Sequence, residues 1–374
     1  MLKVMTIVGT RPELIKMSRV IAEFENHTRH VLVHTGQNYD YELNQVFFDD
    51  LEIRKPDHFL DAAGATPAQT IARVIEKSDE VMALEKPDAV LLYGDTNSCL
   101  AVLSAKRRKI PVFHLEAGNR CFDQRVPEEL NRKVLDHLAD INLVLTEHAR
   151  RYLLAEGIRP ETIIKTGSHM REVLAHYLPR IRASGVLSRL RLSARKYFLV
   201  SAHREENVDV PENLAALLDS LNALAEQYGF PVVVATHPRT LKRLESQDRT
   251  RLSEQIMFNK AFGFFDYVQL QLNALCVLSD SGTITEEAAL LNLPAVTIRE
   301  THERPEGMDA GTLVMSGLRR ERVLDAVRVV IEQYAAEATN SARVPDYESA
   351  CVSRQVVRVV LSYVDYVNRT VWSR

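Results

Sequence analysis

The chain has 374 residues, 46% hydrophobic and 26% charged, with a formal net charge of -3. This is the composition of a soluble globular protein long enough for two domains, and its near-neutral balance offers no basic surface for nucleic acid. No apolar run reaches the ~18 residues of a membrane span, and Cys99, Cys121, Cys276 and Cys351 form no CxxC pair, so they read as reduced thiols rather than a disulfide framework or zinc site.

The N-terminus, MLKVMTIVGTRP, lacks the long apolar stretch and small-residue cleavage site of a secretory signal. It reads as a first β-strand (3–8), and with the reduced thiols it places the protein in the cytoplasm. Further short apolar runs follow at 30–34, 89–93, 111–116, 142–145, 197–202, 231–236, 255–258, 276–279 and 294–298. Their near-continuous apolar character predicts strands covered on both faces. Helical patterns lie between them, for example 69–85 and 211–228, and this alternation predicts parallel sheets with right-handed crossovers. The pattern thins between 168 and 196, where 170–183 reads as a helix and 183–196 as a connector. The expected architecture is therefore α/β, with two doubly wound, Rossmann-type domains facing a cleft. The boundaries are 1–168 and 169–359, and the end of a long amphipathic helix (353–372) packs back on the first domain as 360–374.

In open parallel sheets, ligands bind beyond the carboxyl ends of the strands, and the unusual residues of this chain fall there. After the first strand, GTRPELIK places Arg11 and Lys16 near a helix N-terminus, a candidate anion site. After 89–93, GDTNS places Asp95 at a strand end, where it also suits a helix N-cap. After 111–116 comes HLEAGNRCFDQRVPEELNR. Glu116 ends the strand, a costly place for a carboxylate unless it is paired or solvated. Glu128 falls in the first turn of a helix opened by Pro127, where it also complements the helix dipole. The basic run Lys106–Lys109, at a helix end, reads as a dipole complement and solvated face.

In the second half, SAHREEN puts His203 and Arg204 directly after a strand, suited to an anion. THPRT (236–240) reads as a helix start. SDSGTITEEA offers Ser281, Gly282 and Thr283 as a phosphate cradle without a Walker lysine, and Glu287, one turn on, suits two ribose hydroxyls. RETHERPEG adds Arg304 as a further anion partner. Donors for two phosphates and a ribose acceptor leave Asp95, Glu116 and Glu128 for chemistry, a layout that fits a nucleotide-diphosphate sugar. Neither GxGxxG nor GxxxxGK[ST] is present, so neither NAD nor ATP is indicated and no cofactor is expected. His114 and Glu116 on one strand face are too few for a metal site.

Together GTRPELIK, GDTNS, HLEAGNR, RVPEELNR, SAHREEN, SDSGTITEEA and ETHERPEG resemble, in order from residue 4 to about residue 317, the non-hydrolysing UDP-N-acetylglucosamine 2-epimerase family. The resemblance implies a GT-B-like fold, a homodimer, UDP held by the second domain and an isomerase that needs no NAD. It implies anti elimination of UDP to a 2-acetamidoglucal followed by re-addition, with Asp95, Glu116 and Glu128 as acid/base groups. It also implies His203 at the diphosphate, Arg11 and Lys16 on the sugar–phosphate side, and Arg120 and Arg132 setting the carboxylate pKa values apart.

The stretch NRCFDQRVPEE, with TGQNYDYELN (35–44) and THERPEGMD (301–309), is more similar to the 2-epimerases of capsule and O-antigen pathways. Those convert UDP-2-acetamido-2,6-dideoxy-L-talose to UDP-N-acetyl-L-fucosamine. The alternative is interconversion of UDP-N-acetylglucosamine and UDP-N-acetylmannosamine. Phe265 and Leu270 stand where many members carry a glutamine and a phenylalanine near uracil, so altered base contacts are expected there. A glycosyltransferase or a nucleotide-sugar sensor would share the layout without needing three carboxylates at the sugar end.

Overall fold

The computed structural model describes residues 1–36, 48, 50–236, 252–301, 303–336 and 343–374, with only the backbone of 205 and 206. Most of TGQNYDYELN, residues 237–240 of THPRT, and His302 lie outside the described residues. The chain divides into two compact units, Met1–Ala175 with Pro345–Arg374, and His176–Val344.

The first unit is built on β1 (Lys3–Val8), α1 (Arg11–His27), β2 (Arg29–His34), β3 (His58–Phe59), α2 (Pro67–Glu85), β4 (Ala89–Tyr93), α3 (Val102–Arg107), β5 (Val112–Ala117), α4 (Pro127–Leu138), β6 (Ile141–Val144), α5 (Glu147–Ala155) and β7 (Ile163–Lys165). The strands form a parallel sheet in the order β3-β2-β1-β4-β5-β6-β7. One face is a core in which Met5, Ile7, Val33, Val90 and Leu92 meet Val74 and Met82 of α2. The opposite face is buried as well, for example at Val4, Val8 and Leu91, as expected of a parallel sheet covered on both sides.

α6 (Met170–Arg182), α7 (Val186–Arg189), β8 (Phe198–Ala202), α8 (Glu205–Val208), α9 (Pro211–Tyr228), β9 (Val232–Thr236), β10 (Ile256–Lys260), α10 (Phe264–Asn273), β11 (Cys276–Ser279), α11 (Ile284–Leu291), β12 (Ala295–Thr297), α12 (Pro305–Ala310), β13 (Val314–Met315) and α13 (Arg320–Ala336) follow. The parallel order of the second sheet is β10-β9-β8-β11-β12-β13. Phe198 and Val200 of β8 enter one core cluster, and Tyr197 and Leu199 enter another. That alternation is the period-2 signature of a strand buried on both faces.

The chain's return to the first unit starts earlier than 360. It begins at Pro345, ahead of α14 (Val352–Trp372), because polar groups in that stretch are tied to unit 1. Asp346 accepts from Lys165 Nζ at 2.7 Å and Glu147 N at 2.8 Å, and Ser353 N donates to Glu172 at 3.0 Å. The valine stripe of α14, including Val356, Val360 and Val364, is buried, and the helix packs on α1. The division between the units falls within α6, after the expected 168/169 junction. Within 183–196, expected as a connector, lies the short helix α7. All four cysteines are free thiols. Among the described residues no helix is long and apolar enough to cross a membrane, and no cluster of His, Cys, Asp and Glu could hold a metal ion.

Candidate functional site

Chain order and sheet order diverge at β1, which has β2 on one side and β4 on the other. Such a switch point opens a crevice at the carboxyl ends of the strands. β1 and β4 deliver their following residues to that edge, and the neighbouring β5 delivers its penultimate residue, Glu116.

From β1, Thr10 caps α1 and forms a reciprocal box with Glu13, whose Oε2 accepts from Gly9 N at 2.5 Å and Thr10 N at 3.2 Å. Arg11 opens the helix and is half-buried. One turn on, Lys16 points to β5 and donates to Glu116 Oε2 at 2.9 Å, both side chains being about nine-tenths buried. The same oxygen accepts the Tyr93 hydroxyl from β4. Glu116 sits at a register shift between β5 and β6 and has φ +72°. A non-glycine residue in the left-handed region costs about 1–2 kcal/mol, and such outliers concentrate where a side chain must be aimed for function.

After β4, the Asp95 carboxylate accepts from Arg132 Nε at 2.7 Å, and Asn131 Nδ2 holds its carbonyl at 2.9 Å. Arg132 also donates to buried Glu129 at 2.9 Å. Glu128, half-buried in the first turn of α4, has no hydrogen-bond or ion-pair partner among the described residues. The three candidate carboxylates therefore differ in environment: one is held by a lysine and a phenol, one by an arginine, and one is unpaired.

Arg120 is a correction to the expected layout. It contacts none of these three. Its guanidinium bridges Asp136 at 2.7 Å and Glu156 at 2.7–2.8 Å and is fully buried. Asp136 also faces His114 Nδ1 at 2.8 Å and accepts from Gly118 N at 3.2 Å, while the other His114 nitrogen meets the Gly94 carbonyl at 2.9 Å. His114 is thus committed beneath the site. Burial alone would raise the Asp136 pKa, but His114 and Arg120 outweigh it and hold the carboxyl below its usual value.

Glu13 and Asp136 were missed in the sequence because a glutamate or aspartate on a helix is ordinarily a solvated group. Glu13 is buried, and desolvation raises its pKa to about 7 against the hydrogen bonds from Thr96, Gly9 and Thr10. A carboxyl whose folded pKa exceeds its unfolded value stabilises the fold below the unfolded pKa, and that contribution is lost as pH rises through the folded one. The window here runs from 4.5 to about 7. Glu13→Gln removes the titration. Its stability relative to the parent should therefore rise by ~3 kcal/mol between about pH 5 and about pH 8 in urea unfolding, and a pH-independent difference would refute the assignment.

In the second sheet the switch point lies at β8, between β9 and β11. His203 and Arg204 follow β8, and Asp280 follows β11. Asp280 is fully buried and gathers His203 N and Arg204 N at 2.9 Å, Asn207 Nδ2 at 3.1 Å and His203 Nδ1 at 3.1 Å. Burial opposes this charge, yet the donors led by His203 hold its pKa low. With Nδ1 engaged, the half-exposed imidazole turns its Nε2 away from the carboxylate.

Ser281, Gly282 and Thr283 precede α11, with Ser281 Oγ 3.0 Å from Thr283 Oγ1. A Cβ at Gly282 would lie 3.5 Å from Glu303, which in turn faces Arg204 at 3.5 Å and Arg299 at 3.4 Å. Glu287 accepts from buried Gln271 at 2.5 Å. Arg304 is almost wholly buried, 3.2 Å from Glu286. Phe265 is the second residue of α10 and has the Arg180 guanidinium 4.6 Å from its ring centroid. Leu270 departs from expectation. It is fully buried among Tyr197, Leu199 and Val277, so it packs the core and presents nothing to a base.

The family model described as UDP-N-acetylglucosamine 2-epimerase matches residues 22–361. A solved UDP-N-acetylglucosamine 2-epimerase from Rickettsia bellii is 61% identical, with TM-score 0.95 and 100% of both chains covered. The Methanocaldococcus jannaschii UDP-GlcNAc 2-epimerase, solved in complex with UDP-GlcNAc and UDP, is 30% identical, with TM-score 0.89 over 96% of this chain and 100% of that one. A UDP-2,3-diacetamido-2,3-dideoxy-D-glucuronate 2-epimerase of Pseudomonas aeruginosa is 35% identical over 87% of this chain and 92% of its own length. The two parallel sheets flanked by helices have the GT-B-like α/β fold of these solved neighbours.

Proposed function

The chain belongs to the UDP-N-acetylglucosamine 2-epimerase family and is an isomerase, and from that premise we propose that it inverts C2 of a UDP-sugar by expelling and recapturing UDP. The observation that carries the reading is the edge formed by β1, β4 and β5, where Lys16, Asp95 and Glu116 converge with each carboxylate held by its own cation. C2 of such a sugar has no neighbouring carbonyl, so direct deprotonation is hard. In anti elimination a base takes the C2 proton as the C1–O bond to UDP breaks and C1=C2 forms. Re-addition then joins a UDP oxygen to C1 while C2 is protonated from the opposite face.

That cycle needs two proton-handling groups in different states and cations for the leaving diphosphate. Glu116, Asp95 and Glu128 supply the first. Lys16 and Arg11 hold the sugar–phosphate side. His203, oriented by Asp280, meets the diphosphate together with Ser281, Gly282, Thr283 and Arg304. Glu287 takes the ribose hydroxyls and Phe265 lies by the base.

The substrate we favour is UDP-2-acetamido-2,6-dideoxy-L-talose, giving UDP-N-acetyl-L-fucosamine for capsule or O-antigen synthesis, in a cytoplasmic homodimer. The sequence NRCFDQRVPEE after HLEAG supports this choice. A second reading, UDP-N-acetylglucosamine to UDP-N-acetylmannosamine, is supported by the names of the relatives, including the one at 61% identity.

Incubation in D2O with each nucleotide sugar, followed at C2 by NMR, separates them. Deuterium with inversion in the deoxy-L-sugar alone is the expected result. The same outcome with UDP-N-acetylglucosamine moves the assignment to the second reading, and free UDP accumulating without an epimer would mean hydrolysis.

A further inference from the structure

We propose that Tyr93 is a positioning residue for Glu116: its phenol fixes one carboxylate oxygen alongside Lys16 and sets the pH at which Glu116 carries a proton. The inference rests on the reading of Glu116 as a proton-handling group. Tyr93 is the last residue of β4 and pairs in register with Leu115, and at the next position the register shift and the left-handed backbone of Glu116 break the strand's alternation of faces. It is 4% exposed, and its hydroxyl donates to the Oε2 that also receives Lys16 Nζ at 2.9 Å.

The ring is held in turn. The His169 ring meets it edge-on at 5.4 Å with an interplanar angle of 89°, and Lys16 Nζ lies 5.6 Å from its centroid, within cation–π range. A side chain locked on two sides and ending on a carboxylate has little freedom to do anything else. Among the described contacts, Lys16 from α1 and Tyr93 from β4 face Glu116, His169 lies against the Tyr93 ring, and Asp95, which follows β4, is tied to Arg132.

Two donors on one oxygen do two things. They select one rotamer for a side chain whose backbone is already in the left-handed region, which aims the carboxylate. They also favour its charged form, since a hydrogen bond to the anion opposes protonation. Lys16 provides charge and Tyr93 provides direction, because a phenol has a single O–H that prefers the plane of its ring whereas an ammonium offers three rotatable donors.

The test is Tyr93→Phe, which removes only the hydroxyl and keeps the ring packing. The Glu116 carboxyl is followed by carbon-13 NMR through a pH titration, its resonance assigned by loss in Glu116→Gln. The midpoint should rise by about one pH unit in the phenylalanine variant. The acid limb of kcat for C2 deuterium exchange should move up with it, kcat should fall about tenfold, and KM should stay near the parent's. An unmoved midpoint overturns the proposal whatever happens to the rate. Exchange that survives in Glu116→Gln instead defeats the proton-handling reading, while a shifted midpoint would still establish the Tyr93 contact.

Discussion

Glu116→Gln is expected to lower kcat for C2 epimerisation by roughly 10²–10⁴-fold, the range for removing a positioned proton-transfer group. The amide keeps the shape, and its oxygen still accepts from Tyr93 and Lys16, so KM should change little. What is lost is basicity, and with it the counter-charge of a lysine that is itself about nine-tenths buried. C2 proton exchange in D2O should fall in parallel with turnover, because both depend on the same transfer. A variant that retains kcat within about tenfold of the parent would remove Glu116 from the mechanism.

The second large effect is on stability. Asp136→Asn should destabilise the protein by about 3–5 kcal/mol, the cost of breaking a buried ion pair from one side. The carboxylate serves His114, Arg120 and Gly118 N at once, and an asparagine would turn an N–H2 donor toward groups that are donors already. Denaturant unfolding at neutral pH measures the loss. Because the folded pKa of Asp136 lies below its unfolded value of 3.8, its contribution is intact above that pH and disappears as pH falls through the folded pKa. The parent and variant curves should therefore converge in acid, and parallel curves would show that the charge is not what matters.

Much of the fold was legible because parallel strands buried on both faces read as nearly unbroken apolar runs. β1 and α9 have the predicted bounds. β3, β7 and β13, with two or three residues each, are too short for any periodic signal. At the site, strand-end placement singled out Lys16, Asp95 and Glu116, but not who would hold whom. The Lys16–Glu116 pair spans 100 positions, a distance no local pattern encodes. Arg120 and Arg132 lie in the same short stretch and look alike in sequence, yet one anchors the buried Asp136 and the other reaches Asp95. Leu270 shows the opposite limit: on a helix between core and surface, sequence does not say which way an apolar side chain turns. The buried carboxyls of Glu13 and Asp136 broke the rule that charges are solvated, and only tertiary partners reveal such exceptions.

The second unit lies wholly between the two stretches that build the first. On the ribosome, residues 176–344 emerge before the strip of 345–374 whose valines cover α1. The unit of residues 176–344 can therefore close its core while the unit bearing Lys16, Asp95 and Glu116 still exposes the flank of its first helix. Translation order thus makes the carboxylate-bearing unit the later of the two to mature. Its unfinished apolar flank is the surface a chaperone would meet on the nascent chain.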